Sequence, residues 1–143
     1  MHPRATHLIS TLQLRPHPEG GYFREIHRSP RQVAPDDGRQ ARSAITVIYF
    51  LLADGDRSRW HRVASDEIWH YHEGDPLALT LADAPDAPDA TTQPLGPVDG
   101  EAVPVLVVPA GRWQAARSAG AYTLVSCSVG PGFEFADFEL DDR

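Results

Sequence analysis

The sequence predicts an all-β sandwich or barrel with one short helix at its N-terminal end. Three observations predict it. Short runs rich in Val, Ile, Thr, Tyr and Phe recur along the chain, mostly alternating apolar with polar residues, and turn residues separate them at close intervals. Only the stretch from Pro3 to Gln13 carries apolar side chains at helical spacing, with Leu8, Ile9 and Leu12 on one face. At 143 residues, without an apolar run of membrane length, the chain reads as a single domain, 1–143, of a size that buries roughly 70% of its unfolded surface.

Each element follows from local chemistry. After the helix, Pro16, Pro18, Gly20 and Gly21 force a turn whose loop holds His17 and Glu19, and Tyr22 to Ile26 then run out as a strand. Arg31 to Gln40 is polar, with Pro35 and Gly38, and reads as an exposed connection. Ser43 to Leu52 is apolar on both faces, the pattern of a strand buried on both sides or at an oligomer interface. From Gly55 to Gly74 the chain reads as two strands forming a hairpin through Ala64, Ser65 and Asp66. Pro76 to Ala82 alternates as a further strand, and the Ala-Pro-Asp repeats after it cannot form a core, so they read as a solvated loop. Val103 to Val108, Arg112 to Ser118 and Tyr122 to Val129 are three more strands, and Phe133 to Leu140 reads as a last edge strand. The total is eight or nine short strands.

Composition excludes several classes of function. A net charge of -7 and a pI near 5.4 argue against nucleic acid and against an anionic membrane as partners, because both need basic patches. All 13 basic residues are Arg, so Schiff-base chemistry on a lysine is excluded. Cys127 is the single cysteine and sits in an alternating strand, which reads as a buried structural thiol. Nothing at the N-terminus has the pattern of a signal peptide, and the expected location is cytoplasmic.

The chemistry concentrates between Gly55 and Gly74, where His61, Glu67, His70 and His72 are interleaved with Trp60, Trp69 and Tyr71. At period two, Arg59, His61 and Val63 share one face of the first strand, and Glu67, Trp69 and Tyr71 share one face of the second. His61 and Glu67 then converge on one wall, while His70 and His72 point to the opposite wall in structural roles. A His and a carboxylate in a partly apolar barrel have the shifted proton affinities that acid/base catalysis needs. His61 is expected to be the acid or base, Glu67 its orienting partner, and Tyr71 a proton donor across the substrate. Trp69 and Gln114 are candidate ligand-binding residues. Tyr22 and Arg24 share a strand face that would line the pocket mouth, where Arg24 could hold a carboxylate or phosphate.

Gly55, His61, Val63, Glu67 and Gly74 resemble the first motif of the cupins, which has Gly, His, a second His, Glu and Gly at that spacing. Pro109, Gly111 and Gln114 resemble the second, which has Pro, Gly and His. The phrases HPEGGYFREIHRS, SRWHRV, SDEIWHYHEGDPL and VPAGRWQAARS resemble a small uncharacterised subfamily of single-domain cupins, over roughly Leu12 to Glu139. The resemblance implies a cupin jelly-roll barrel, a double-stranded β-helix with a short N-terminal helix, and a homodimer. It also implies a distant likeness to sugar-nucleotide epimerases and seed-storage cupins, and no settled reaction. Metal-binding cupins take two His and a Glu from the first motif and a His from the second. Here only His61 and Glu67 keep their identity, Val63 cannot ligate, Gln114 offers an amide oxygen, and Ser118 stands where the second motif ends in Asn.

The expected function is a cupin that binds a small-molecule ligand, a sugar or keto acid, and isomerises or epimerises it by metal-independent acid/base catalysis. The alternative is a non-catalytic binding or sensing cupin. In a third reading a divalent ion such as Mn, Fe or Ni sits on His61, Glu67 and Gln114; the first two readings need no cofactor.

Overall fold

Pro3 opens the helix and His2 caps it, its Nδ1 accepting from the Arg4 amide at 3.0 Å, and Gln13 ends it in the left-handed conformation at φ 56. This is α1 (Pro3–Leu12), where a short amphipathic helix was expected. The computed structural model describes residues 1–141, so the last two residues of the expected 1–143 domain lie outside the described residues. The strands are β1 (Arg15–Pro16), β2 (Tyr22–Arg28), β3 (Gln32–Val33), β4 (Arg42–Ser43), β5 (Thr46–Ala53), β6 (Arg57–Arg62) and β7 (Asp66–Gly74). They continue as β8 (Leu77–Ala82), β9 (Thr91–Leu95), β10 (Val105–Val108), β11 (Trp113–Ser118), β12 (Tyr122–Gly130) and β13 (Glu139–Leu140), with a 3-10 turn at Phe135–Asp137.

A six-stranded sheet in the order β1-β2-β5-β12-β7-β10 and a five-stranded sheet in the order β13-β6-β11-β8-β9, antiparallel throughout, form the jelly roll. Phe50, Leu52, Trp69, Leu77, Leu79, Val108 and Val125 fill the space between them. A second cluster lies outside the larger sheet, where Ala5 and Leu8 of α1 cover Leu51, Ala53 and Leu124. It accounts for the doubly apolar pattern of β5, whose alternate residues feed the barrel interior and the underside of the helix.

Three elements differ from the sequence expectation. The stretch from Gly55 to Gly74 is not a hairpin, because β6 pairs with β11 and β13 whereas β7 pairs with β12 and β10. The connection between β6 and β7 crosses from one sheet to the other, and two inward faces that would have been neighbours now oppose each other. Thr91–Leu95 is a strand that the pattern missed, and Pro94 is tolerated there because β9 is the outer edge of its sheet. Phe133 to Leu140 forms the 3-10 turn and a two-residue edge strand in place of one continuous strand. Its backbone is fixed instead by side chains, with Arg28 on Glu134 at 3.1 Å, and Arg39 and Arg42 both on Asp137. Among the described residues no helix is long and apolar enough to cross a membrane.

Candidate active site

The double glycine after Glu19 sets the site. Gly20 has φ +111, and a Cβ there would lie 2.1 Å from the Arg57 carbonyl oxygen, so only glycine lets this loop lie against β6. The Arg59 amide donates to the Glu19 carbonyl at 2.8 Å and locks the approach. The Glu19 side chain is thereby driven into the barrel beside His61, where it is only 6% exposed.

Nδ1 of His61 lies 2.8 Å from Glu19 Oε2 and 2.7 Å from the Arg59 carbonyl oxygen. Both neighbours are acceptors, so Nδ1 carries the proton. The Ser58 hydroxyl also donates to Glu19 Oε2. His17 differs: its Nδ1 accepts the Glu19 amide at 3.0 Å, and burial lowers its proton affinity, so its 3.4 Å approach to the Glu19 carboxylate is not an ion pair. Nε2 of His61 has no hydrogen bond among the described residues, and no buried side-chain nitrogen or oxygen there lacks a partner, so Nε2 opens into the cavity.

Glu67 sits across the barrel and is held by a relay. The Trp69 indole can only donate, and it donates to Gln114 Oε1 at 2.9 Å, which turns the Gln114 amide nitrogen onto Glu67 Oε1 at 2.8 Å. The Cys127 thiol lines the same cavity, and burial first, then the nearby carboxylates, push that thiol well up, so it stays protonated. The cavity has a volume of about 80 Å³, or about 610 Å³ of atom-free space counting its open mouth. His61, Glu67, Val63 and Cys127 line it, with His17 and Glu19, and Phe23, Phe133, Phe135 and Phe138 line it too.

The two carboxylates are pushed apart. Burial works against the charge of Glu19, but the charge and hydrogen bond of His61 outweigh it and hold Glu19 below the usual carboxylate range. For Glu67, burial dominates, and the Glu19 charge adds to it, raising Glu67 despite His61 and Gln114. Burial also works against a charged His61, but Glu19 above all, then Glu67, overcome it and push the imidazole up to about 9. At neutral pH the site therefore holds an imidazolium, an ionised Glu19 and a Glu67 of raised proton affinity. Two carboxylates with separated affinities beside an acid are the pattern of a proton-transfer site.

The structure brings His61 and Glu67 into one cavity, but the partner that orients His61 is Glu19. Sequence reasoning placed Glu19 in a loop and missed this, although the Glu-Gly-Gly turn was its signal. Tyr71 does not reach the cavity. It points inward at the far end of β7, four residues or roughly 13 Å along the strand from Glu67, and its hydroxyl donates to the Gly74 carbonyl at 2.6 Å. Trp69 is 1% exposed in the core and acts on the site through Gln114. Tyr22 and Arg24 fall on the opposite face of β2. Tyr22 packs in the cluster under α1, and Arg24 reaches the Leu12 carbonyl at 3.4 Å. Their neighbours Phe23 and Glu25 line the cavity instead, and a bulge after Glu25 brings Arg28 to it as well. His70 and His72 lie on the outside of the larger sheet, with His72 Nε2 bonded to the Ser126 hydroxyl at 2.9 Å.

The donor set does not fit a metal. The oxygen of Gln114 is bound to Trp69 and its N–H faces Glu67, so Gln114 presents a donor where a ligand is required. His61 keeps Nε2 free, so His61 and Glu67 remain as two ligands of that set where a metal site needs three or more. Among the described residues no group of three or more His, Cys, Asp or Glu is placed to hold a metal ion.

A barrel of this topology with a His and a carboxylate facing across its interior belongs to the cupins. Within them the chain belongs to the family described as Cupin superfamily (DUF985), which matches residues 6–141. It is similar to a hypothetical protein from Leishmania major, 37% identical, with a TM-score of 0.87 over 96% of this chain and 86% of that one. It is likewise similar to a protein from Shewanella oneidensis, 36% identical, with a TM-score of 0.82 over 96% and 84%. Oxalate decarboxylase from Bacillus subtilis shares the fold, at 13% identity and a TM-score of 0.62 over 87% of this chain and 29% of that one. No curated protein matches the chain.

Proposed function

We propose that the cavity catalyses proton transfer on a small carbonyl compound without a metal, as an isomerase or epimerase does. The observation that carries this reading is the separation of Glu19 from Glu67 about a charged His61 that keeps Nε2 open to the cavity. Glu67, raised toward neutral pH, takes the proton from the carbon beside the carbonyl. His61 gives its Nε2 proton to the carbonyl oxygen, and an enol forms. Reversal at the neighbouring carbon, or from the other face, returns both protons and yields the isomer. Glu19 holds the imidazole through Nδ1 and stabilises its charge, while Trp69 and Gln114 hold Glu67. Of the two substrate classes expected from the sequence, a keto acid finds no free arginine among the described residues at the mouth, since Arg28 is already held by Glu25 and Glu134.

The test is exchange of carbon-bound hydrogen in heavy water, followed by proton NMR across a panel of small hydroxy- and amino-carbonyl compounds. Exchange that vanishes in His61→Ala and in Glu67→Gln is the expected result. Its rate should fall on the acid side above the ordinary carboxylate value and on the alkaline side near 9. Exchange that survives both substitutions refutes the mechanism, and saturable binding with no exchange for any compound makes the protein a binding cupin.

A further inference from the structure

The mouth of the cavity is built of aromatic rings and carboxylates. Phe133 and Phe135 meet at 4.9 Å and 83°, Phe135 and Phe138 at 6.0 Å and 77°, and Phe133 and Phe138 at 6.0 Å and 71°. Three rings at near right angles form the corner of a box, and Phe135 is 54% exposed at its rim. Phe135 is thus accessible to whatever enters the cavity. Among the described residues, the arginine of the mouth is already committed. Arg28 donates Nε to Glu25 at 2.8 Å, one terminal nitrogen to Glu25 and to the Phe133 carbonyl, both at 3.0 Å, and the other to Glu134 at 3.1 Å. Four of its N–H groups are thus in use, which leaves no fork for a carboxylate or phosphate. Among the described lining residues, Arg28 and the His61 imidazolium stand against Glu19, Glu25 and Glu134, which leaves the cavity negative by one charge before Glu67 is counted.

The geometry points to a substrate class: a small carbonyl compound carrying an ammonium group, seated against Phe133, Phe135 and Phe138 with Glu25 and Glu134 on its flank. This rests on the reading of the cavity as a proton-transfer site. Aromatic faces attract a cation, and carboxylates at the rim add to that attraction. The same charge suits the chemistry, because an ammonium beside the reacting carbon acidifies its C–H bond and eases removal by a carboxylate. An anion of the same shape meets the quadrupole and the excess charge with the wrong sign.

Three probes of one shape test it by calorimetry at low salt: 2-phenylethylammonium, 2-phenylethanol and phenylacetate. The ammonium is expected to bind at least about tenfold more tightly than the alcohol, and phenylacetate more weakly than either. Phe135→Leu, which keeps an apolar side chain at a position 54% exposed, should weaken the ammonium by about 3- to 10-fold and the alcohol by less. Glu134→Gln should weaken the ammonium alone. Equal affinity for ammonium and alcohol, or tighter phenylacetate, overturns the inference. Hydrogen exchange separates the two readings. Exchange of neutral hydroxy-carbonyl compounds with no preference for amino-carbonyl ones overturns the substrate class and leaves the mechanism standing. Ammonium binding without any exchange supports the cage and sinks the mechanism.

Discussion

Replacing Glu19 with Gln keeps the size of the side chain and an oxygen that can accept from Ser58 and His61, but removes the charge. Glu19 is the largest favourable influence on His61, so without it burial is opposed only by Glu67 and the Arg59 carbonyl, and the imidazole falls well below 9. His61 is 2% exposed, so water does little to screen the pair. A group raised from 6.5 to about 9 on folding contributes stability that is fully present below 6.5 and is lost as pH rises through 9. At pH 7 that contribution is about 2–3 kcal/mol, from about 1.4 kcal/mol per tenfold change in proton affinity. Glu19→Gln is therefore expected to be less stable by about 2–3 kcal/mol at pH 7, with the difference shrinking as pH rises through 9. Urea denaturation across pH 6 to 10, beside an NMR titration of His61, measures both quantities. A difference that stays constant over that range, or a His61 still titrating near 9 in the variant, refutes the assignment of Glu19 as its partner.

Two further perturbations probe the shell around the site. Gln114→His replaces an amide whose oxygen is tied to Trp69 with an imidazole facing Glu67. A thermal scan with Ni(II) should raise the melting temperature of this variant by linkage and leave the wild type unmoved; an equal rise in both would show that the wild-type donor set does hold a metal. Asp137→Asn removes the carboxylate shared by Arg39 and Arg42, which anchors the turn carrying Phe135 and Phe138. It is expected to cost about 1–3 kcal/mol, as for a buried charged pair losing one partner, and to speed amide exchange across 133–138. Unchanged exchange in that segment would mean that the Phe133 amide bond to Thr46 and the Arg28 contacts are sufficient anchors.

The sequence by itself determined the helix, most of the longer strands and half of the site. Alternation is a local property, set by the pleat, so runs such as Leu77–Ala82 and Tyr122–Gly130 announce their structure without knowing their neighbours. The same periodicity put His61 and Glu67 on inward faces. Pairing is not local. Whether β6 and β7 join edge to edge or oppose each other depends on which strands claim their edges, and β11 and β12 claimed them. Only the tertiary structure could then bring Glu19 to His61 across 42 positions of chain, through a glycine that tolerates contact with the Arg57 carbonyl. Parity decided the rest. One residue of offset on β2 sends Tyr22 and Arg24 outward and Phe23 and Glu25 inward, and no pattern in that short strand marks which face the barrel will claim. Likewise, the amide of Gln114 could have offered oxygen or nitrogen to the cavity. The choice was made by Trp69, a donor with nothing else to give, placed beside it by the fold.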